Sequence, residues 1–241
     1  MEENKKSLGE KMSLPISIVL AGLLIAGGIY MNGKITSNNP TPSQKQQMES
    51  KQLANAIKPI DASDHIIGSP EARIIVVEYS DTECPYCKPF HVTMNTIMQE
   101  YGSSGDVAWV YRHYPIEQLH ANSIKEAEAT ECAAKLGGNS KFWEYINKVY
   151  EMTESNDGLD LNKLPVIATE IGLSSSEFNA CLESGEFASK IATDIQNAQA
   201  AGIFGTPYSV IIDTKTEEHY PLEGAYPYTQ VKQFIDIILE S

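Results

Sequence analysis

The run "ARIIVVEYSDTECPYCKPFH", residues 72–91, constrains the fold more than any other stretch of the chain. Its first half is continuously apolar and β-branched and ends in turn residues, as expected of a strand buried on both faces. Two cysteines three apart follow at once. Behind them Phe90, Met94, Ile97 and Met98 recur at helical spacing, with Gly102 placed as a C-cap. "DVAWVYRHYP", 106–115, then alternates as a second strand. Strand, helix, strand is the unit that builds a parallel sheet through a right-handed crossover.

From Asn122 to Ala201 the pattern is helical throughout, with helices predicted over 122–136, 140–152, 161–171, 175–184 and 187–201. Gly137–Gly138, Asp157–Gly158, Gly172 and Gly185 punctuate them, and Ser174 with Glu177 forms a capping box. "GTPYSVIID", 205–213, returns to strand, and "EEHYPLEGAY" supplies a turn and an edge strand. The last helix puts Val231, Phe234, Ile235, Ile238 and Leu239 on one face. The chain therefore reads as an α/β domain: a βαβ half, a helical block and a ββα half.

The chemistry rests on the cysteines, of which there are four: Cys84, Cys87, Cys132 and Cys181. A zinc site needs four ligands, and only one C-x-x-C is present; His91 and His113 match no second clip. A purely structural disulfide across so short a loop would constrain little of the unfolded chain. A redox dithiol, by contrast, needs this placement, because unpaired N–H groups and the helix dipole at a helix start favour a thiolate. Cys84 is then the exposed attacking sulfur and Cys87, one turn in, resolves the mixed disulfide. Pro85 is tolerated in the first turn, and Pro89 is expected to kink the helix just beyond it.

Spacing also makes Cys132 with Cys181 the natural second pair, on helices of the block. Outside the cytoplasm such a disulfide would close 49 positions and contribute ~4 kcal/mol on the chain-entropy argument; the other reading is two buried free thiols. Glu83, beside Cys84, would oppose a thiolate, but a residue of this type more often points to solvent. His91 is assigned to packing, and Phe142, Trp143 and Tyr145 to the core of the helical block.

"VVEYSDTECPYCKPFH", the helical block, "GTPYSVIID" and "EGAYPYTQVKQFI" together resemble the DsbA-like thioredoxin-fold oxidoreductases, of the branch tethered to bacterial membranes. The resemblance covers roughly Asp64 to Leu239. It implies a cis bond before Pro207, with Thr206 and Pro207 holding a substrate strand beside Cys84; the plainer reading is a trans proline that starts a strand. It also implies exported cysteine-containing proteins as substrates and a membrane partner that resets the dithiol. No cofactor is expected, because the cysteines carry the electrons. One departure stands out. The dipeptide between the cysteines is Pro85–Tyr86, where the best-known oxidants of the family carry histidine in place of Tyr86, so a positive charge near the thiolate is missing.

The N-terminus sets the compartment. From Met12 to Gly33 no residue is charged, a run of 22 that suffices to cross a hydrocarbon core of ~30 Å as a helix. Lys5, Lys6 and Lys11 precede it and keep the N-terminus cytoplasmic. The expected organisation is a cytoplasmic N-terminus at 1–11, a transmembrane anchor at 12–33, a polar linker at 34–58 that turns helical from Ser43, and the folded domain at 59–241. A cleaved signal peptide, with Ala26, Gly27 and Gly28 near the cut, is the alternative. Nucleic acid is excluded as a partner, since a net charge of −14, from 32 acidic and 18 basic residues, repels a polyanion. The reading is an extracytoplasmic oxidant of thiols; a reductase or isomerase of the same fold, or a non-catalytic peptide-binding module, are the alternatives.

Overall fold

The computed structural model describes residues 56–241 and, ahead of them, Thr41, Lys45, Met48 and Gln52. The expected N-terminal segment at 1–11 and anchor at 12–33 lie outside the described residues. Lys45, Met48, Gln52 and Ala56 are helical, in line with a linker that turns helical after Ser43. Among the described residues no helix is long and apolar enough to cross a membrane.

The elements are β1 (His65–Ile67), β2 (Ile74–Ser80), α1 (Cys87–Tyr101), β3 (Val107–His113), α2 (Ser123–Met152), a 3₁₀ turn (Leu161–Lys163), α3 (Leu164–Glu170), α4 (Ser175–Ser184), α5 (Ala188–Ala200), β4 (Tyr208–Asp213), β5 (Glu218–Glu223) and α6 (Tyr228–Glu240). The sheet order is β1-β3-β2-β4-β5. β2 and β3 are parallel, with Ile74 opposite Val107 and Ser80 opposite His113, and the other pairs are antiparallel.

β2 sits at the centre, and every one of its residues is buried. Side chains alternate across a strand. Ile74 and Val76 accordingly enter a core with Phe90, Met94 and Ile97 of α1 and Val231 and Ile235 of α6. Ile75, Val77 and Tyr79 face the opposite way, towards Ala198 of α5 and Ile203. The helical block has a core of its own, in which Tyr145 and Val149 of α2 meet Leu164 and Ile167 of α3 and Phe178 of α4.

Three expectations change, and the expected break at Gly137–Gly138 is present. β1 is a three-residue strand without an alternating pattern; pairing with the edge of β3 creates it, and the Asn139 side-chain amide caps it by accepting from Ile66 N at 3.2 Å and donating to Ile66 O at 2.7 Å. Helices 122–136 and 140–152 run nearly head to tail as α2, separated by Gly138, whose φ of 75° and ψ of −172° are open to glycine. Pro89 is the third residue of α1, so its missing N–H falls in the first turn and the helix continues unbroken to Tyr101. Phe142 and Trp143 pack against Trp109 and Tyr111 of the sheet rather than inside the block, where only Tyr145 belongs.

Candidate active site

β2 ends at Ser80, and Asp81 turns the chain towards the cysteines. Its Oδ1 accepts from Glu83 N (2.9 Å), its Oδ2 accepts from Ile116 N (2.8 Å) and meets His120 Nδ1 (2.8 Å), and its carbonyl accepts from Cys84 N (3.1 Å). The helix starts one turn later than expected: Pro85 and Tyr86 form a turn, and Cys84 offers its carbonyl to Cys87 N (3.1 Å) and Lys88 N (3.4 Å). Cys84 thus stands two residues before the Tyr86 N-cap, with the backbone N–H groups of Tyr86 and Cys87 beside its sulfur.

Both cysteines are free thiols, and they are held in opposite protonation preferences. The Cys84 thiol is lowered to about 6, first by a hydrogen bond from Cys87, then by the Thr206 side chain and the backbone N–H groups of Tyr86 and Cys87, all against the cost of burial. The Cys87 thiol is pushed well up, by burial first and by the neighbouring Cys84 sulfur next. Cys84 donates to Thr206 O at 3.4 Å, and the Thr206–Pro207 bond is cis. The Thr206 hydroxyl is buried with no other hydrogen-bond partner among the described residues, so a thiolate at Cys84 supplies its missing acceptor. Cys84 is less open than an attacking sulfur was expected to be, at 5% exposed, because the Thr206 loop covers it. The Tyr86 side chain is exposed, and only the backbone N–H of that residue is among the groups that favour the thiolate. Beside the cysteines a depression of about 420 Å³ is lined by Phe204, Thr206, Pro207, Tyr208 and Glu223, with Phe204 fully open to solvent on its outer side at 81% exposure.

Glu83 is a correction. It is fully buried and points away from solvent, because the loop after α2 wraps its carboxylate: Thr153 Oγ1 donates at 2.8 Å, Gly158 N at 3.0 Å and Leu159 N at 3.4 Å, while its carbonyl accepts from Asn156 N at 2.8 Å. Three successive residues of that loop, Ser155, Asn156 and Asp157, take left-handed φ values of 66°, 54° and 64° to close the wrap. Lys88 Nζ ties the same loop to α1 through Thr153 O at 2.5 Å. Glu126 of α2 faces Glu83; burial, and then the Glu83 carboxyl, push it up to about 9, so it is a neutral acid at pH 7.

Glu78, on the cysteine side of β2, was not singled out from sequence. Burial raises it to about 7, and Trp109 Nε1 donates to its Oε2 at 2.9 Å. The signal was present: an acidic residue inside a strand buried on both faces has no structural reason to be there. His91 is buried and neutral, lowered by burial to about 4, stacked on Tyr150 and held by Asn147 through Nε2 at 2.6 Å. Cys132 and Cys181 are joined in a disulfide with Cα atoms 5.9 Å apart, in the core of the helical block and away from Cys84.

A strand-to-helix turn carrying a polarised C-x-x-C, faced by a cis-proline loop, agrees with the family model described as thioredoxin, which matches residues 61–236. The chain belongs to the thioredoxin family. Within it, the DsbA-like thiol:disulfide oxidoreductases provide the relatives. DsbA2 of Pseudomonas aeruginosa is 30% identical and superposes with a TM-score of 0.60 over 75% of this chain and 97% of that one. BdbD of Bacillus subtilis, in its oxidised form, gives 0.66 at 22% identity over 77% and 97%, a likeness of fold. Among curated proteins, a Na(+)/H(+) antiporter NhaA 1 of Mycolicibacterium gilvum is 29% identical over 154 residues, 63% of this chain. The chain spans about a quarter of the length of the curated relatives it matches, 24% for that antiporter. This chain has the thioredoxin-like fold with a helical insertion between β3 and β4.

Proposed function

We propose that this chain is a membrane-anchored, extracytoplasmic oxidant that introduces disulfides into exported cysteine-containing proteins and is reset by a redox partner in the membrane. The observation that carries the reading is the split between the two thiols, one lowered to about 6 and the other raised. A dithiol whose thiolate is stabilised has a stable reduced form, and its disulfide is correspondingly oxidising. Tyr86 does not weaken this, because the donors at Cys84 are backbone N–H groups, the Thr206 side chain and Cys87.

In the forward reaction a substrate thiolate attacks Cys84 Sγ of the Cys84–Cys87 disulfide. The S–S bond breaks, Cys87 leaves with the electron pair, and a mixed disulfide to Cys84 forms. A second substrate thiolate then attacks its own mixed-disulfide sulfur and expels Cys84 as a thiolate. The substrate has lost two electrons and the protein pair has gained them. Thr206 and Pro207 position the substrate segment, and the apolar side of the depression at Phe204 receives its side chains. Glu78, set at about 7 on the same side of β2, exchanges a proton with Cys87. The anchor at 12–33 and the lysines before it support the extracytoplasmic placement, as does a second disulfide at Cys132–Cys181.

Acid trapping of growing cells, followed by thiol alkylation, tests the direction of electron flow. The Cys84–Cys87 pair is expected mostly as a disulfide. A pair found mostly reduced favours the alternative, a reductase fed electrons across the membrane.

A further inference from the structure

The exchange proposed above needs a substrate segment beside Cys84, and the depression there joins an aromatic ring to a carboxylate. Phe204 and Glu223 both line it, together with Thr206 and Pro207. Three features of the fold place the Glu223 side chain on that side. It ends β5 directly opposite Tyr208 of β4, so the two side chains share a face of the sheet. Its neighbour Leu222 is turned into the core shared with α1 and α6, which sends Glu223 to the other face, where Tyr208 packs towards Ile203. Gly224 N donates to Pro207 O at 3.0 Å and fixes the end of β5 against the cis-proline loop. Burial, and then the Glu223 carboxylate, raise the Tyr208 phenol, in keeping with a charge on this face.

Glu223 is exposed, and among the described residues no hydrogen bond or ion pair holds its carboxylate. The loops bonded to the cysteine turn add to the negative charge. Glu117 follows Ile116, whose N–H is bound by Asp81, and Glu154 follows Thr153, which is bound to Glu83; both acidic residues are exposed. The basic residue on α1 next to Cys87, Lys88, has its Nζ tied to Thr153 O. A segment entering the depression therefore meets an open ring and an uncompensated carboxylate.

We infer that the site selects cysteine segments that carry a lysine or arginine, with the aliphatic stem along Phe204 and the cationic head at Glu223. These side chains combine an apolar stem with a charged tip, and the tip is also drawn to an aromatic face. A substrate glutamate in the same place would face Glu223 and be disfavoured, so the selection has a repulsive arm as well as an attractive one. Because the carboxylate is exposed, the preference is moderate and screened by salt. The inference names a substrate class for the exchange reading and rests on it.

The test uses three dithiol peptides that are identical except beside the reactive cysteine, where the flanking residues are lysine, glutamine or glutamate. Their oxidation by the oxidised full-length protein at low salt gives kcat/KM for each. Flanking charge also alters the reactivity of the peptide thiol itself, so the readout is variant over wild type for each peptide, in which that chemistry cancels. Glu223→Gln should lower kcat/KM for the lysine peptide about three- to fivefold relative to the glutamine peptide. Glu223→Lys should shift the lysine-over-glutamate ratio about tenfold or more towards glutamate, and about 0.5 M salt should remove most of both effects. Variants that change all three peptides by the same factor, or not at all, overturn the inference. So does Glu71→Gln, which removes an exposed charge before the far end of β2, if it reproduces the shift, since the net charge of the whole molecule would then be its cause. A wild type that oxidises none of the three peptides overturns the exchange reading itself.

Discussion

Cys84 with Cys87 and Cys132 with Cys181 are two cysteine pairs in one chain, both buried, and their surroundings differ in one respect. Around Cys84 there are hydrogen-bond donors: the backbone N–H groups of Tyr86 and Cys87, the Cys87 thiol, and the Thr206 hydroxyl, which has no other partner among the described residues. Around Cys132 and Cys181 there are Ala129, Tyr145, Ile167, Phe178 and Leu182, which offer a sulfur no stabilisation of negative charge. Burial alone does not separate a reactive pair from a staple. The supply of donors does, because a thiolate needs them and a disulfide does not.

The comparison is broken most severely by removing a sulfur at the active pair. Cys84→Ser should abolish exchange, whereas Cys87→Ser should leave Cys84 able to attack and unable to be released, so that substrate adducts accumulate on a non-reducing gel. Adducts from Cys84→Ser and none from Cys87→Ser would reverse the two roles. Removing the second pair should do the opposite. Cys132→Ala with Cys181→Ala should cost about 2–5 kcal/mol of stability, read by denaturant unfolding, and leave single-turnover exchange within about twofold.

A smaller effect tests how the acids behind Cys84 are tuned. Glu126 is raised to about 9, against an ordinary glutamate value in the unfolded chain, so the native state binds the extra proton and this group costs stability as pH rises from about 4.5 to about 9. Glu126→Gln escapes that loss. Its stability relative to the wild type should therefore be greater at pH 9 than at pH 5 in thermal unfolding; a difference that does not change with pH would contradict the assignment.

How much of this was legible in the sequence follows the strength of each local signal. The strands at Ile74–Ser80 and Val107–His113 and the helices of the block all came through, the first from a continuous apolar run and the helices from a clear period with glycine punctuation, although Val107–His113 is buried at every residue where alternation was expected. β1 did not, since three residues carry no period and its strand character comes from the edge of β3. Cys84, Cys87, Thr206 and Pro207 were legible because motif spacing survives without coordinates. Glu83 was misjudged because the loop that wraps it arrives from 70 residues downstream, through Thr153. Glu78 was passed over as strand filler, although a carboxyl inside "IIVVEYS" conflicts with burial on both faces.

The central claim is that donors make one pair labile and their absence makes the other a staple. Equilibration of the protein in graded ratios of reduced to oxidised glutathione, acid quenching, alkylation and mass spectrometry read both pairs in the same molecules. Cys84 and Cys87 should become alkylated at mildly reducing ratios, while Cys132 and Cys181 stay joined until far more reducing ones. Alkylation of Cys132 equal to or ahead of that of Cys84 at every step would contradict the account.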